Sequence, residues 1–275
     1  MKLVPTGGAL GAEATEVDLR EPLAEADRAA LRGALLAHGV VFLRGQKLNA
    51  RQFVDAARIF GEIEMYDSTL KKFLLPEQPE VIVLSNIVED GKPIGIVDAG
   101  AYWHTDRSYV KKPAWSSCLH ALEVPHADDG SPLGDTEFAS MPKAYAALDP
   151  DVKERVRGLS AWHEYVFRFS EKNDAMPGVS HPIVLEHPVT KTPCLYVNKG
   201  FTHRIPDLPG DEGKALLEQL FEHARRPEFV YRHRWQAGDV LLWDNYSTQH
   251  NATGGYALPQ RRHMWRTTIQ GFALG

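Results

Sequence analysis

Residues 23–38 carry Ala30, Leu31, Ala34, Leu35 and Leu36 at helical spacing, so they read as an amphipathic helix that Gly39 stops. The apolar run Val40-Val41-Phe42-Leu43 then has the length and branching of a strand. Phe53, Ala56, Ala57 and Phe60 predict a second helix over 51–60, ended by Gly61. Residues 81–84 and 115–122 read as strands. Residues 141–158 read as helical, with Pro142 near the start and Pro150 interrupting, and 210–224 as a clearer helix. Val240-Leu241-Leu242-Trp243 is an apolar strand closed by the turn signal Asp244-Asn245, and 260–269 ends in strand-favouring residues. This distribution is mainly β with α additions. It fits a jelly-roll core, a double-stranded β-helix whose closed strands leave a ligand cavity. No repeat or linker divides the chain, so 1–275 reads as one domain.

With 275 residues and 43% hydrophobic content, the chain can bury a full core. A net charge of −5 offers no general attraction for nucleic acid or an anionic membrane. Cys118 and Cys194 are too few for a disulfide framework and are expected to be reduced and buried. The N-terminus lacks a sustained apolar stretch, and no run approaches the ~18 apolar residues of a membrane helix. A cytoplasmic protein is expected.

Chemistry enters at Trp103-His104-Thr105-Asp106. On a strand, a His and an Asp two residues apart point to one side and can grip one metal ion. His250, just beyond the apolar strand at 240–243, is the candidate third ligand. Two His and one carboxylate cover one face of an octahedral Fe(II) and leave three positions open for a cosubstrate and O2. A second copy, His126-Ala127-Asp128, lies before Asp129-Gly130-Ser131-Pro132 and reads as a solvated turn. His120, His163 and His203 read as structural or pocket-lining, and His233 and His263 as solvent-facing or as support for the site. Trp103 and Trp243 read as core walls.

If 260–269 is a strand, Arg262, Met264, Arg266 and Thr268 share one face. Two guanidinium groups aimed the same way so soon after a metal ligand suggest an anion pocket, since Arg grips carboxylates with a planar fork.

These segments resemble the TauD/TfdA family of Fe(II)- and 2-oxoglutarate-dependent dioxygenases. The matching pieces are 8–13 with 17–20, Val40 to Gln46, Trp103-His104-Thr105-Asp106, Gly134-Asp135-Thr136-Glu137-Phe138, Leu195-Tyr196-Val197-Asn198, Trp243-Asp244-Asn245 with His250, and Arg262 through Thr268. The resemblance implies that His104, Asp106 and His250 bind iron, and that Arg262 and Thr136 hold the distal carboxylate of 2-oxoglutarate. It places Arg266 where some members anchor an anionic group of the primary substrate. It also implies decarboxylation of 2-oxoglutarate to succinate and CO2, coupled through O2 to hydroxylation. Halogenating relatives lose the carboxylate that Asp106 supplies here. Family members are often dimers or tetramers, so a homo-oligomer is expected.

Taurine-type members carry Asn four residues before the motif His, where this chain has Gly100. The stretch 228–235 is similar to the phenoxyacetate-degrading branch. The expected substrate is a small organic acid, an aryloxyalkanoate-like carboxylate, with sulfonates, alkyl sulfates and amino-acid derivatives as alternatives. Residues 63–102 read as a lid. A cupin-like protein that binds metal and ligand without oxygen chemistry is the reading of another class, and an iron oxygenase with a different electron donor is a further one. The intact triad with Thr136 and Arg262 argues against the first, and the second gives Arg262 and Thr136 no joint role.

Overall fold

The computed structural model describes residues 1–66, 68–97, 100–165 and 177–274. Residues 67, 98 and 99 of the segment expected as a lid lie outside the described residues. The architecture is mainly β with helical additions. An eight-stranded sheet runs in the order Lys2–Pro5, Ala12–Thr15, Val40–Leu43, Val240–Asp244, Ser116–Glu123, His263–Ile269, Gln78–Ser85, Leu74–Leu75. Ala12–Thr15 and Val40–Leu43 pair in parallel, and the other neighbours antiparallel. A three-stranded sheet places Thr136–Ser140 between Val230–His233 and Thr248–Ala252.

Strand alternation explains the continuous apolar runs at 40–43 and 240–243, since side chains of successive residues leave opposite faces of the sheet. Val40, Phe42, Leu241 and Trp243 pack with Leu119, Met264, Phe138 and Trp235 between the two sheets. Val41, Leu43, Val240 and Leu242 pack on the other side with Leu31 and Leu35 of helix Glu25–His38 and Phe53 of helix Ala50–Ala57. Both faces are therefore core. A third cluster joins Leu216, Leu217 and Leu220 of helix Gly210–Ala224 to Met141, Ile183 and Leu195.

Gly39 ends the first helix at φ +70°, with its amide on the Leu35 carbonyl at 2.8 Å. The second helix begins at Ala50 because Asn49 and Gln52 exchange side-chain-to-backbone hydrogen bonds of 2.9 and 3.0 Å. It stops at Ala57, short of the expected end. The helix expected over 141–158 is two, Met141–Ala146 and Pro150–Val156, because Pro150 has no N–H to continue a helix but suits a first turn. Gln78–Ser85, inside the segment 63–102, is a strand of the large sheet. Cys118 and Cys194 are free and buried. No helix among the described residues is long and apolar enough to cross a membrane.

Two buried histidines differ in how they were expected to lie: His163 as structural or pocket-lining, His233 as solvent-facing or as support for the site. His233 is fully buried, where the flanking arginines had left solvent exposure open; its alternation on Val230–His233 turns it inward. His163 is buried with its Nδ1 3.1 Å from the Ser108 hydroxyl, and with the His181 and Tyr196 rings 5.3 and 5.7 Å away. Burial, with the nearby His181 and His203, holds His163 well below the ordinary histidine value. In the unfolded chain it takes up a proton below about pH 6.5, whereas folded it stays neutral. Its contribution to stability is complete above that pH and is lost as pH falls toward the depressed folded value. We therefore expect the unfolding free energy to fall between about pH 6.5 and pH 5. His163→Gln should flatten the slope by up to about 1.4 kcal/mol per pH unit, measured by denaturant titration.

Candidate active site

His104 and His250 meet across a single backbone bridge: each amide donates to the other's carbonyl, at 2.9 and 2.8 Å. Their ring centroids are 4.1 Å apart. His250 lies in strand Thr248–Ala252, but His104 and Asp106 are not on the strand that alternation anticipated; one bridge leads straight into a turn. Other side chains therefore aim Asp106. Its amide donates to Asn245 Oδ1 (3.3 Å), and its Oδ2 accepts from Ser117 Oγ (2.7 Å) and pairs with Arg266 Nη2 (2.6 Å). Ser117 is steadied in turn by Asn245 Nδ2 at 3.3 Å.

With Oδ2 engaged, Oδ1 faces the imidazoles, 3.5 Å from His104 Nε2 and 3.8 Å from His250 Nε2. One ligand atom from each of the three buried residues lies within 4.8 Å of the others, close enough to share one ion. The protonation states fit. His104 Nδ1 sits 2.8 Å from the Tyr102 carbonyl, which can only accept, so that nitrogen carries the proton and Nε2 presents its lone pair. Burial and the adjacent His104 hold His250 well below its usual pKa, in the neutral, ligating form. Burial pushes Asp106 up, yet the Arg266 guanidinium beside it outweighs this and holds the carboxyl well below the usual range. Two nitrogens and one carboxylate oxygen suit a divalent ion with open positions better than a closed structural zinc site.

The chain threads closely past His104. Gly100 has φ +79°, and a Cβ there would stand 2.7 Å from His104 Cε1. The Asn of taurine-type members has no room at this position in this backbone. The second His-Asp pair is what its turn signals indicated: His126 is exposed in a tight loop whose Ala127 amide bonds the Ser131 carbonyl at 2.9 Å.

Met264, Arg266 and Thr268 do share the inward face of His263–Ile269, with Arg262 entering just before the strand. The two arginines differ. Arg266 is already paired with Asp106, although its buried Nε has no partner. Arg262 is 6% exposed, forms no ion pair among the described residues, and its Nε is also without a partner. Burial pulls its pKa down, and its nearest compensation is the Tyr256 ring, 5.8 Å from the guanidinium carbon. A cavity of about 380 Å³, lined by Arg262, Asn86, Gly134, Ala252 and Tyr256, opens at this charge. Thr136 is buried and pairs with Ala252 across the small sheet, as Phe138 pairs with His250. This register puts Thr136 on the strand face that carries His250.

Aromatic rings enclose the opposite side. Phe201 lies 5.8 Å from His104, 5.9 Å from Tyr102 and 4.8 Å from Tyr109, measured between centroids. Trp243 is both core wall and neighbour of the site, 4.8 Å from His250. Tyr66 reaches Thr268 Oγ1 at 3.2 Å. Ser117, Tyr66 and Trp235 escaped the sequence reading. Trp235 and Asn245 lie within quoted motif segments and carried that signal, whereas Ser117 is one polar residue in a strand and carried none.

Three buried residues able to share one ion, with a buried arginine facing a nearby cavity on a β scaffold, fit a class of metal-dependent enzymes. The model of the "Taurine catabolism dioxygenase TauD, TfdA family" matches residues 2–268, and the chain belongs to that family. It is 34% identical over 274 residues to the alpha-ketoglutarate-dependent 2,4-dichlorophenoxyacetate dioxygenase of Cupriavidus pinatubonensis, covering 92% of each chain. It is 30% identical to the (S)-phenoxypropionate/alpha-ketoglutarate-dioxygenase of Delftia acidovorans, covering 98% of this chain and 95% of the other. A taurine dioxygenase structure from Burkholderia xenovorans superposes with a TM-score of 0.82 at 33% identity, covering 98% of this chain and 89% of that one.

The approach of Gly100 to His104 generates a test. Gly100→Ala should weaken Mn(II) binding by at least about tenfold, read by calorimetry without oxygen, because the added Cβ displaces a ligand. Gly130→Ala, at a positive φ with no atom nearby, controls for backbone strain alone.

Proposed function

We propose that this protein is an Fe(II)- and 2-oxoglutarate-dependent dioxygenase that hydroxylates a small aryloxyalkanoate-like carboxylate, with His104, Asp106 and His250 as the iron ligands. The observation that carries the reading is the buried, acid-free charge of Arg262. A guanidinium removed from water costs several kcal/mol unless an anion meets it, and the open cavity at its edge gives one a way in. In this reading Arg262 and Thr136 would hold the distal carboxylate of 2-oxoglutarate.

Iron, 2-oxoglutarate and O2 supply the oxidation, converting the cosubstrate to succinate and CO2 and delivering one oxygen atom to a substrate C–H. The chain binds, orients and excludes water. Arg266 has donors beyond those spent on Asp106, and its remaining edge would take the substrate anion. Tyr102, Tyr109 and Phe201 favour an aryl group over a compact sulfonate. Hydroxylation beside an ether oxygen would then let the product collapse and cleave. The names of the two aryloxy-acid relatives support the same substrate class.

The scaffold is read as a double-stranded β-helix, supported by the packing of the small sheet against the large one. Segment 63–102 is read as a cover flanking the strand Gln78–Ser85. We place the enzyme in the cytoplasm, where Fe(II) and two unpaired thiols persist, and read it as a homo-oligomer.

The experiment is succinate release by the Fe(II)-loaded protein across aryloxy acids, sulfonates, alkyl sulfates and N-acyl amino acids. Aryloxy acids should stimulate turnover strongly and taurine little, and preference for a sulfonate would overturn the substrate class. Arg262→Gln should weaken 2-oxoglutarate binding about a hundredfold and abolish the anaerobic charge-transfer band. Arg266→Ala should raise the KM for the aryloxy acid and depress turnover. Unchanged kinetics there would remove the anchor role.

A further inference from the structure

Trp235 is completely buried, and its indole Nε1 donates to Thr136 Oγ1 at 3.0 Å. We propose that Trp235 is a positioning residue that fixes the Thr136 hydroxyl as a hydrogen-bond donor to the carboxylate of 2-oxoglutarate, an inference that rests on the cosubstrate reading of Thr136 given above.

A threonine hydroxyl carries one hydrogen and two lone pairs, and it rotates to suit its surroundings. An indole N–H can only donate. Once Trp235 fills one acceptor direction on Oγ1, the hydroxyl hydrogen must point elsewhere, and no acceptor for it is present among the described residues. A carboxylate can only accept, so it needs the form of Thr136 that Trp235 selects. An acceptor in place of the indole would consume the hydrogen and turn a lone pair toward the incoming anion.

Trp235 is itself held from behind. Its ring meets His233 edge-on at 4.6 Å between centroids. His233 Nε2 lies 2.9 Å from Asp239 Oδ2, and the Tyr231 hydroxyl lies 2.9 Å from His233 Nδ1. Because Nε2–H donates to the Asp239 carboxylate, Nδ1 of the neutral ring is the acceptor and Tyr231 the donor. Asp239 Oδ2 also accepts from the Gln236 amide at 2.9 Å and pairs with Arg44, closing the turn that follows Trp235. The route from Arg44 through Asp239, His233 and Trp235 to Thr136 is unbroken. A merely space-filling tryptophan would need none of these bonds.

The test measures 2-oxoglutarate binding to the Mn(II)-loaded, oxygen-free protein by calorimetry, in Trp235→Phe, Thr136→Val and the double variant. Trp235→Phe keeps an aromatic core ring but removes the N–H. It should weaken binding about tenfold, and should weaken it no further in the Thr136→Val background. It should leave the KM of the primary substrate unchanged. If Thr136→Val binds 2-oxoglutarate normally, the cosubstrate reading of Thr136 falls and this inference with it. If Thr136→Val binds weakly but Trp235→Phe binds normally, or if the two losses add, the positioning role alone is overturned. Should Trp235→Phe not fold, indole N–H resonances of the Zn(II)-loaded protein decide. The resonance that shifts in Thr136→Val should also shift when 2-oxoglutarate is added, and a stationary resonance would overturn the proposal.

Discussion

The two oxygens of Asp106 are put to different uses, and the site depends on that division. Ser117 and Arg266 occupy Oδ2, so Oδ1 alone turns toward His104 and His250. A carboxylate with both oxygens free could chelate an ion and fill positions that an oxygenase needs open. One with neither oxygen restrained would lose orientation, since the turn at Asp106 supplies no strand geometry to aim it. The cost of burying this carboxylate is offset by the Arg266 charge beside it and by the hydroxyl donor.

That arrangement is possible because the large sheet is buried on both faces. Ser117 sits on a strand, and Asn245 in the turn just after the adjacent strand Val240–Asp244, whose residues fill the cores, so neither can drift without disturbing packing. The small sheet does the corresponding work on the other side. Its register sets Thr136 opposite Ala252 and Phe138 opposite His250, so His250 and the cavity lined by Ala252 and Arg262 are linked through one pair of strands. Slipping that register by one residue would send His250 to the outer face.

The two arginines illustrate how charge divides labour. Arg266 is neutralised within the protein by Asp106, whereas Arg262 is buried against an aromatic ring and a cavity. The first orients what the protein already contains. The second has no acidic partner among the described residues, and that asymmetry is what the proposed 2-oxoglutarate site at Arg262 rests on.

Much of this was legible in the order of residues alone. The apolar runs at 40–43 and 240–243, the Gly39 stop and the helix Gly210–Ala224 follow from periodicity, because burial selects residue type at each face of an element. The pair His104 and Asp106 is marked as a candidate by its spacing, whereas His250, Arg262 and Arg266 stand out through the family resemblance. Distances between segments remote in the chain were not legible. That Ser117 and Asn245 grip Asp106 and that Trp235 reaches Thr136 across the small sheet depend on closures spanning from 11 to 139 residues. No local preference encodes such contacts. Tertiary structure decided them, because a side chain's partner depends on which segments the packed core brings together.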